Sequence, residues 1–139
     1  MILEKSLEQI ENDYWGKPTY PSNLVKTCHK IRTIPLKDLS VEHLRMAIGQ
    51  KISLPILIPL AIQRLLREPL VEGHFFKGDL LQNVLRCDEY FSSNKEPRIE
   101  LLEICQKALI LLHNEKLDEV PVEVHNQIKD FINASVVDP

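Results

Sequence analysis

The stretch Leu54-Pro55-Ile56-Leu57-Ile58-Pro59-Leu60-Ala61-Ile62 constrains this chain more than any other. An unbroken apolar run has no polar face to offer water, so it must be buried by neighbours on every side. A bilayer span needs roughly 18 apolar residues. This run is far shorter and carries two prolines, so it reads as the centre of a protein core and no membrane association is expected. Pro59 lacks an N–H and its ring clashes one turn back. The regular helix therefore either starts near Ile58, after an irregular lead-in through Pro55, or kinks at Pro59. Polarity returns with Gln63, Arg64 and Arg67, and Pro69 closes a central helix of about 54–68.

The segments around it also have helical periodicity. Ser6 and Gln9 form a capping-box pattern ahead of Leu7, Ile10 and Tyr14, stopped by Gly16 and a loop to Pro21. Ser22 precedes the stripe Leu24, Val25, Cys28 and Ile31, which Pro35 ends; Ser40 precedes Val41, Leu44, Ala47 and Ile48, with Gly49 just beyond. Glu72–Gly78 is a loop between glycines with two adjacent aromatics. Asp79 is placed to cap a helix over 80–87. A long helix follows over about 97–114, with Leu101, Ile104, Cys105, Ala108, Leu111 and Leu112 inward and a Glu103–Lys107 pair outward. Ile110 falls on its polar side, either covered by a neighbour or exposed as an anchor. Pro121 opens a last helix striped by Val124, Ile128, Phe131 and Ile132. No stretch alternates long enough for a strand. Ser92–Pro97 resembles a linker, but each side is too small to fold comfortably alone. The expectation is an all-α fold: one compact domain over residues 1–139, with six to seven helices around the 54–68 helix.

Chemistry is harder to find. The chain has only four glycines among 139 residues, and no phosphate cradle, H-E-x-x-H or G-x-S-x-G motif. Its three cysteines are scattered at no metal-ligand or redox spacing, which suits reduced thiols packed in a cytoplasmic protein. The opening Met-Ile-Leu-Glu-Lys-Ser moves straight into charge, so no secretory leader is expected. Cys28-His29 suggests a thiolate–base pair, but helix neighbours point about 100° apart, and Cys28 also fits the apolar stripe. His74 and Asp79 can be a base with its orienting carboxylate, or a loop residue and a helix cap. Glu96, Glu100 and Glu103 share one helical face, as an acid/base cluster or as a solvated stripe favoured by the helix dipole. No catalytic residue, metal or cofactor is assigned, and no enzyme is expected.

Charge is distributed unevenly. Residues 1–70 sum to +3 and residues 71–139 to −6. An acidic half disfavours direct nucleic-acid binding, and the small basic cluster Lys26, Lys30, Arg32 and Lys37 has no interleaved aromatics to stack on bases.

Several connected motifs add a resemblance. Ser6-Leu7-Glu8-Gln9-Ile10-Glu11 runs into Tyr14-Trp15-Gly16. After it come Pro35-Leu36-Lys37-Asp38-Leu39, Leu44-Arg45 and Ile48-Gly49-Gln50, then Leu54-Pro55 and Ile58-Pro59-Leu60-Ala61. Pro69-Leu70, Glu72-Gly73 and Gly78-Asp79-Leu80-Leu81 complete the series. In this order, over residues 6–90, they resemble the immunity proteins of contact-dependent growth inhibition (CDI) systems. The chain departs from that pattern at Ser53, where Gly is usual, at His74, where Asp is usual, and after Tyr90. The resemblance implies a cytoplasmic antitoxin that binds and neutralises the C-terminal toxin domain of a matching CDI protein, often a nuclease. A non-catalytic helical adaptor of an unrelated system is the alternative. Nuclease clefts are basic, so carboxylates from Glu72 onward are the expected contacts. The first candidates are Glu72, Asp79, Asp88, Glu89, Glu96 and Glu100, although capping alone would explain Asp79.

Overall fold

The computed structural model describes residues 2–19, 22–115 and 118–137. It is all-α, with eight α-helices and no strand among the described residues. They are α1 (Leu7–Glu11), α2 (Asn23–Ile31), α3 (Val41–Gly49), α4 (Leu54–Arg67), α5 (Asp79–Leu85), α6 (Asp88–Ser93), α7 (Lys95–Asn114) and α8 (Val122–Val137). Short 3-10 turns at Ile2–Glu4 and Leu36–Asp38 join the set.

α4 is the centre of packing, as its composition requires. Leu57, Ile58, Ala61, Ile62 and Leu65 are fully buried, and the helix packs on α3, α5 and α7. One apolar cluster runs from Leu7 through these residues to Val124 and Ile128 on α8. The helix begins at Leu54, not near Ile58, and Pro59 lies inside it. The cost is confined to the second turn, where Pro59 cannot donate to the Pro55 carbonyl. Pro55 sits in the first turn, where its missing N–H would have had no helical partner. Capping by Ser22 and Ser40 is as the sequence predicts. The Val25 N–H donates to Ser22 Oγ (3.2 Å), and the His43 N–H donates to Ser40 Oγ (3.1 Å). His43 completes a reciprocal box by accepting the Ser40 N–H at Nδ1 (3.1 Å).

Two boundaries differ from expectation. α1 ends at Glu11, because Asn12 takes a left-handed conformation (φ 50°) and turns the chain before Tyr14. The loop expected from Gly16 to Pro21 is described as far as Thr19; Tyr20 and Pro21 lie outside the described residues. The expected linker at 92–97 shrinks to Asn94 alone, between α6 and α7. Asp88 and Glu89 in the first turn favour the short α6 through its dipole, and Pro97 is tolerated in the first turn of α7. That additional helix takes the number beyond the expected seven. Ile110 is 59% exposed, so no neighbour covers it.

Candidate binding surface

The loop between α4 and α5 is built around two carboxylates from different elements. Asp79 opens α5 yet does not cap it. Gly78 precedes the helix in a left-handed conformation (φ 91°), and a Cβ there would press on Val124 at 3.3 Å. The Asp79 side chain turns back into the loop and is 2% exposed. Gly73 N–H donates to its Oδ1 at 2.7 Å, and Phe75 and Phe76 N–H donate to Oδ2 at 3.1 and 3.4 Å. Glu42, on α3, accepts the intervening His74 N–H at 2.9 Å. Glu42 also receives a two-pronged bond from Arg45 (2.7 and 2.6 Å), and the Arg45 Nε lies 3.9 Å from Asp79. The hydrogen bond from Arg45, with help from the His74 N–H, holds the Glu42 carboxyl below its usual range against the opposing effect of burial. A Cβ on Gly73 would stand 2.8 Å from Glu42 Oε1 and 3.0 Å from Asp79 Oδ2, so any larger residue there has to displace one of the two acids.

Of the two readings of His74 and Asp79, the base with its orienting carboxylate is therefore not formed. Asp79 is committed to backbone N–H groups, while the largely exposed His74 ring has its Nδ1 3.7 Å from Glu42. Cys28 and His29 also diverge: Cys28 is buried in the apolar stripe and its thiol is pushed up by burial. His29 Nδ1 instead lies 3.0 Å from the Gly16 carbonyl. Cys105 is pushed up to about 12 by burial, so it too is an inert packing thiol. Among the described residues no group of three His, Cys, Asp or Glu side chains is placed to hold a metal. No helix among them is long and apolar enough to cross a membrane.

The six candidate carboxylates fall into three settings. Glu72 is exposed at the start of the loop and pairs through a backbone bridge with Lys77. Asp79 is buried and serves the loop from inside. Asp88 and Glu89 are exposed on α6, Glu96 is exposed and Glu100 half-buried on α7, and α6 packs directly on α7. These four occupy one corner of the molecule. The corner is not uniformly acidic: Lys95 and Arg98 line the same groove as Asp88, a space of about 440 Å³ floored by Leu85, Phe91, Leu102 and Phe131. The Glu103–Lys107 pair forms at 3.8 Å between exposed ends, a geometry of little energetic consequence.

The basic cluster loses its arginine. Lys26, Lys30 and Lys37 are exposed, but Arg32 is 2% exposed. It donates to Glu11 Oε1 (2.6 Å), the Asp13 carbonyl (2.8 Å) and Ser53 Oγ (3.2 Å), under the Trp15 ring at 4.5 Å. Arg32 thus ties the segment after α1 to the start of α4.

Glu42, Arg45 and Phe75 are surface-shaping residues that the sequence reading passed over. The available signals were the Glu42–Arg45 spacing of three on a helix and the paired aromatics between two glycines. Phe75 is 67% exposed, with the Arg45 guanidinium stacked 4.4 Å from its ring centre.

A family model described as CDI immunity proteins matches residues 9–101. The match covers about two thirds of the chain. It takes in α2–α6, the carboxylate-held loop and the first turns of α7, and stops before α8. No curated protein and no solved structure matches the chain.

Proposed function

The chain belongs to the family of CDI immunity proteins, and from that premise we propose that it binds and neutralises the C-terminal toxin domain of its matching CDI protein in the cytoplasm, without catalysing a reaction. The family match carries the reading. The toxin is read as a nuclease with a basic cleft. Exposed Glu72, Asp88, Glu89 and Glu96, with half-buried Glu100, provide negative charge from which such a cleft is steered and blocked. Asp79 belongs to this set only indirectly, through the loop that it shapes. Steering of this kind decays over a Debye length of roughly 8 Å at physiological salt.

The test is co-expression. The toxin domain encoded beside this gene is induced in cells with and without this protein, and growth and nucleic-acid integrity are followed. Growth restored by this protein, and not by an immunity protein of a different CDI system, supports the reading. Equal arrest in both cultures overturns it.

A further inference from the structure

The loop 72–78 is held more firmly than a connection between two helices needs. Four successive backbone N–H groups, those of Gly73, His74, Phe75 and Phe76, are bound by two carboxylates that water scarcely reaches. An exposed loop normally leaves its N–H groups to water. Here the consequence of removing them from water is a fixed backbone, and what that backbone displays is Phe75. Two thirds of Phe75 is open to solvent. Arg45, locked by Glu42, stacks against its ring and sets the ring's orientation as well as its position. A rigidly displayed aromatic loses little freedom when a partner covers it, and such residues dominate binding energy at protein interfaces.

The charge around the ring indicates what kind of partner fits. Glu42, Asp79, Glu72 and Glu119 are gathered about the loop against Arg45 and Lys77, with Lys77 bonded to Glu119 at 3.2 Å. The surround is net negative. A complementary surface offers an apolar pocket with cationic side chains at its rim.

Resting on the immunity reading above, we infer that Phe75, on its carboxylate-held loop, is the anchor that enters an apolar, cation-rimmed pocket of the toxin domain. Glu72 faces that rim. Asp79 and Glu42 act from beneath as positioning residues.

The experiment measures association and dissociation rates of the purified toxin domain with the wild-type chain, with Phe75→Ala and with Gly73→Ala. Phe75→Ala removes the anchor and leaves the two carboxylates in place. It is expected to weaken binding by about thirtyfold or more, mainly through faster dissociation. Its unfolding midpoint should stay put, because the ring is mostly exposed. Gly73→Ala keeps the ring but drives a Cβ into Glu42 and Asp79, and is expected to weaken binding by about tenfold through lost preorganisation. If the wild-type chain binds and Phe75→Ala binds equally well, the anchor is wrong while the immunity reading stands. If Phe75→Ala weakens binding and Gly73→Ala does not, the positioning role of the two acids is wrong. A wild-type chain that does not bind the toxin domain overturns the immunity reading and this inference with it.

Discussion

The loop 72–78 and the corner where α6 meets α7 are both organised by acidic residues, yet they use charge in opposite ways. In the loop the decisive carboxylates, Asp79 and Glu42, are buried and spend their oxygens on backbone N–H groups and Arg45. At the corner Asp88, Glu89 and Glu96 stand in water on helix surfaces, beside Lys95. Buried charge of the first kind fixes shape and acts at short range. Exposed charge of the second kind acts at a distance and is screened by salt. A binding surface needs both, since one governs how long a complex lasts and the other how often it forms.

Substitution at the loop should therefore cost stability, and substitution at the corner should not. The largest effect is expected from Asp79→Ala, which strands three N–H groups and leaves Arg45 with one acid fewer. Removing one member of a buried charged network costs about 3–5 kcal/mol, measured as a shift in urea unfolding. Glu42→Gln comes next, at about 2 kcal/mol, because the amide can still accept one bond but no longer balances Arg45. It also carries a pH signature. The Glu42 carboxyl sits below its ordinary 4.5 in the fold, so its stabilisation is complete above about pH 4.5 and is lost as pH falls through the lower folded value. Glu42→Gln should flatten that acid limb in thermal melts. A separate loss beginning nearer pH 6.5, which comes from His43, whose imidazole burial holds below its ordinary 6.5, should persist and deepen slightly, because the Glu42 charge opposes that lowering.

Charge reversal of Glu89, Glu96 and Glu100 to Lys should leave the unfolding free energy within about 1 kcal/mol of wild type. The same triple change should slow association with the toxin domain roughly tenfold at low salt and remove most of its salt dependence. Unchanged association would mean that the corner plays no part in steering. The smallest effect is expected at Ser53, a non-glycine residue at φ 49°. Ser53→Gly relieves left-handed strain but loses the hydroxyl that donates to Glu11 at 2.9 Å and accepts from Arg32. The two should nearly cancel, to within about 1 kcal/mol.

Apolar periodicity made most of the fold legible. α4 had to be central because its first turns have no polar face, and α3, α7 and α8 turn the stripes read for them into the core, with Val41, Leu111, Phe131 and Ile132 only partly buried. Hydroxyl caps were legible for the same local reason, since Ser22 and Ser40 act within three residues. Charged residues were misplaced where long-range partners decide. Arg32 reads as one member of a small basic cluster until Glu11, Asp13 and Ser53, up to 21 residues away, enclose it. Asp79 reads as a helix cap, yet its targets lie three to six residues upstream, and Glu42 meets the His74 N–H across 32 residues. Nothing local in the sequence distinguishes an acid that faces water from one that organises a loop. The end of α1 was missed because Asn12, a residue that tolerates the left-handed region, ended it before Gly16.

The central claim is that this protein acts by occupying its toxin and not by turning anything over. A stoichiometric titration tests it most directly: a fixed amount of the toxin domain is mixed with increasing amounts of this protein, and residual toxin activity is recorded. Occupancy predicts a straight fall that reaches zero at about one copy per toxin domain. Complete silencing at a small fraction of that ratio, or undiminished activity in excess, would contradict it.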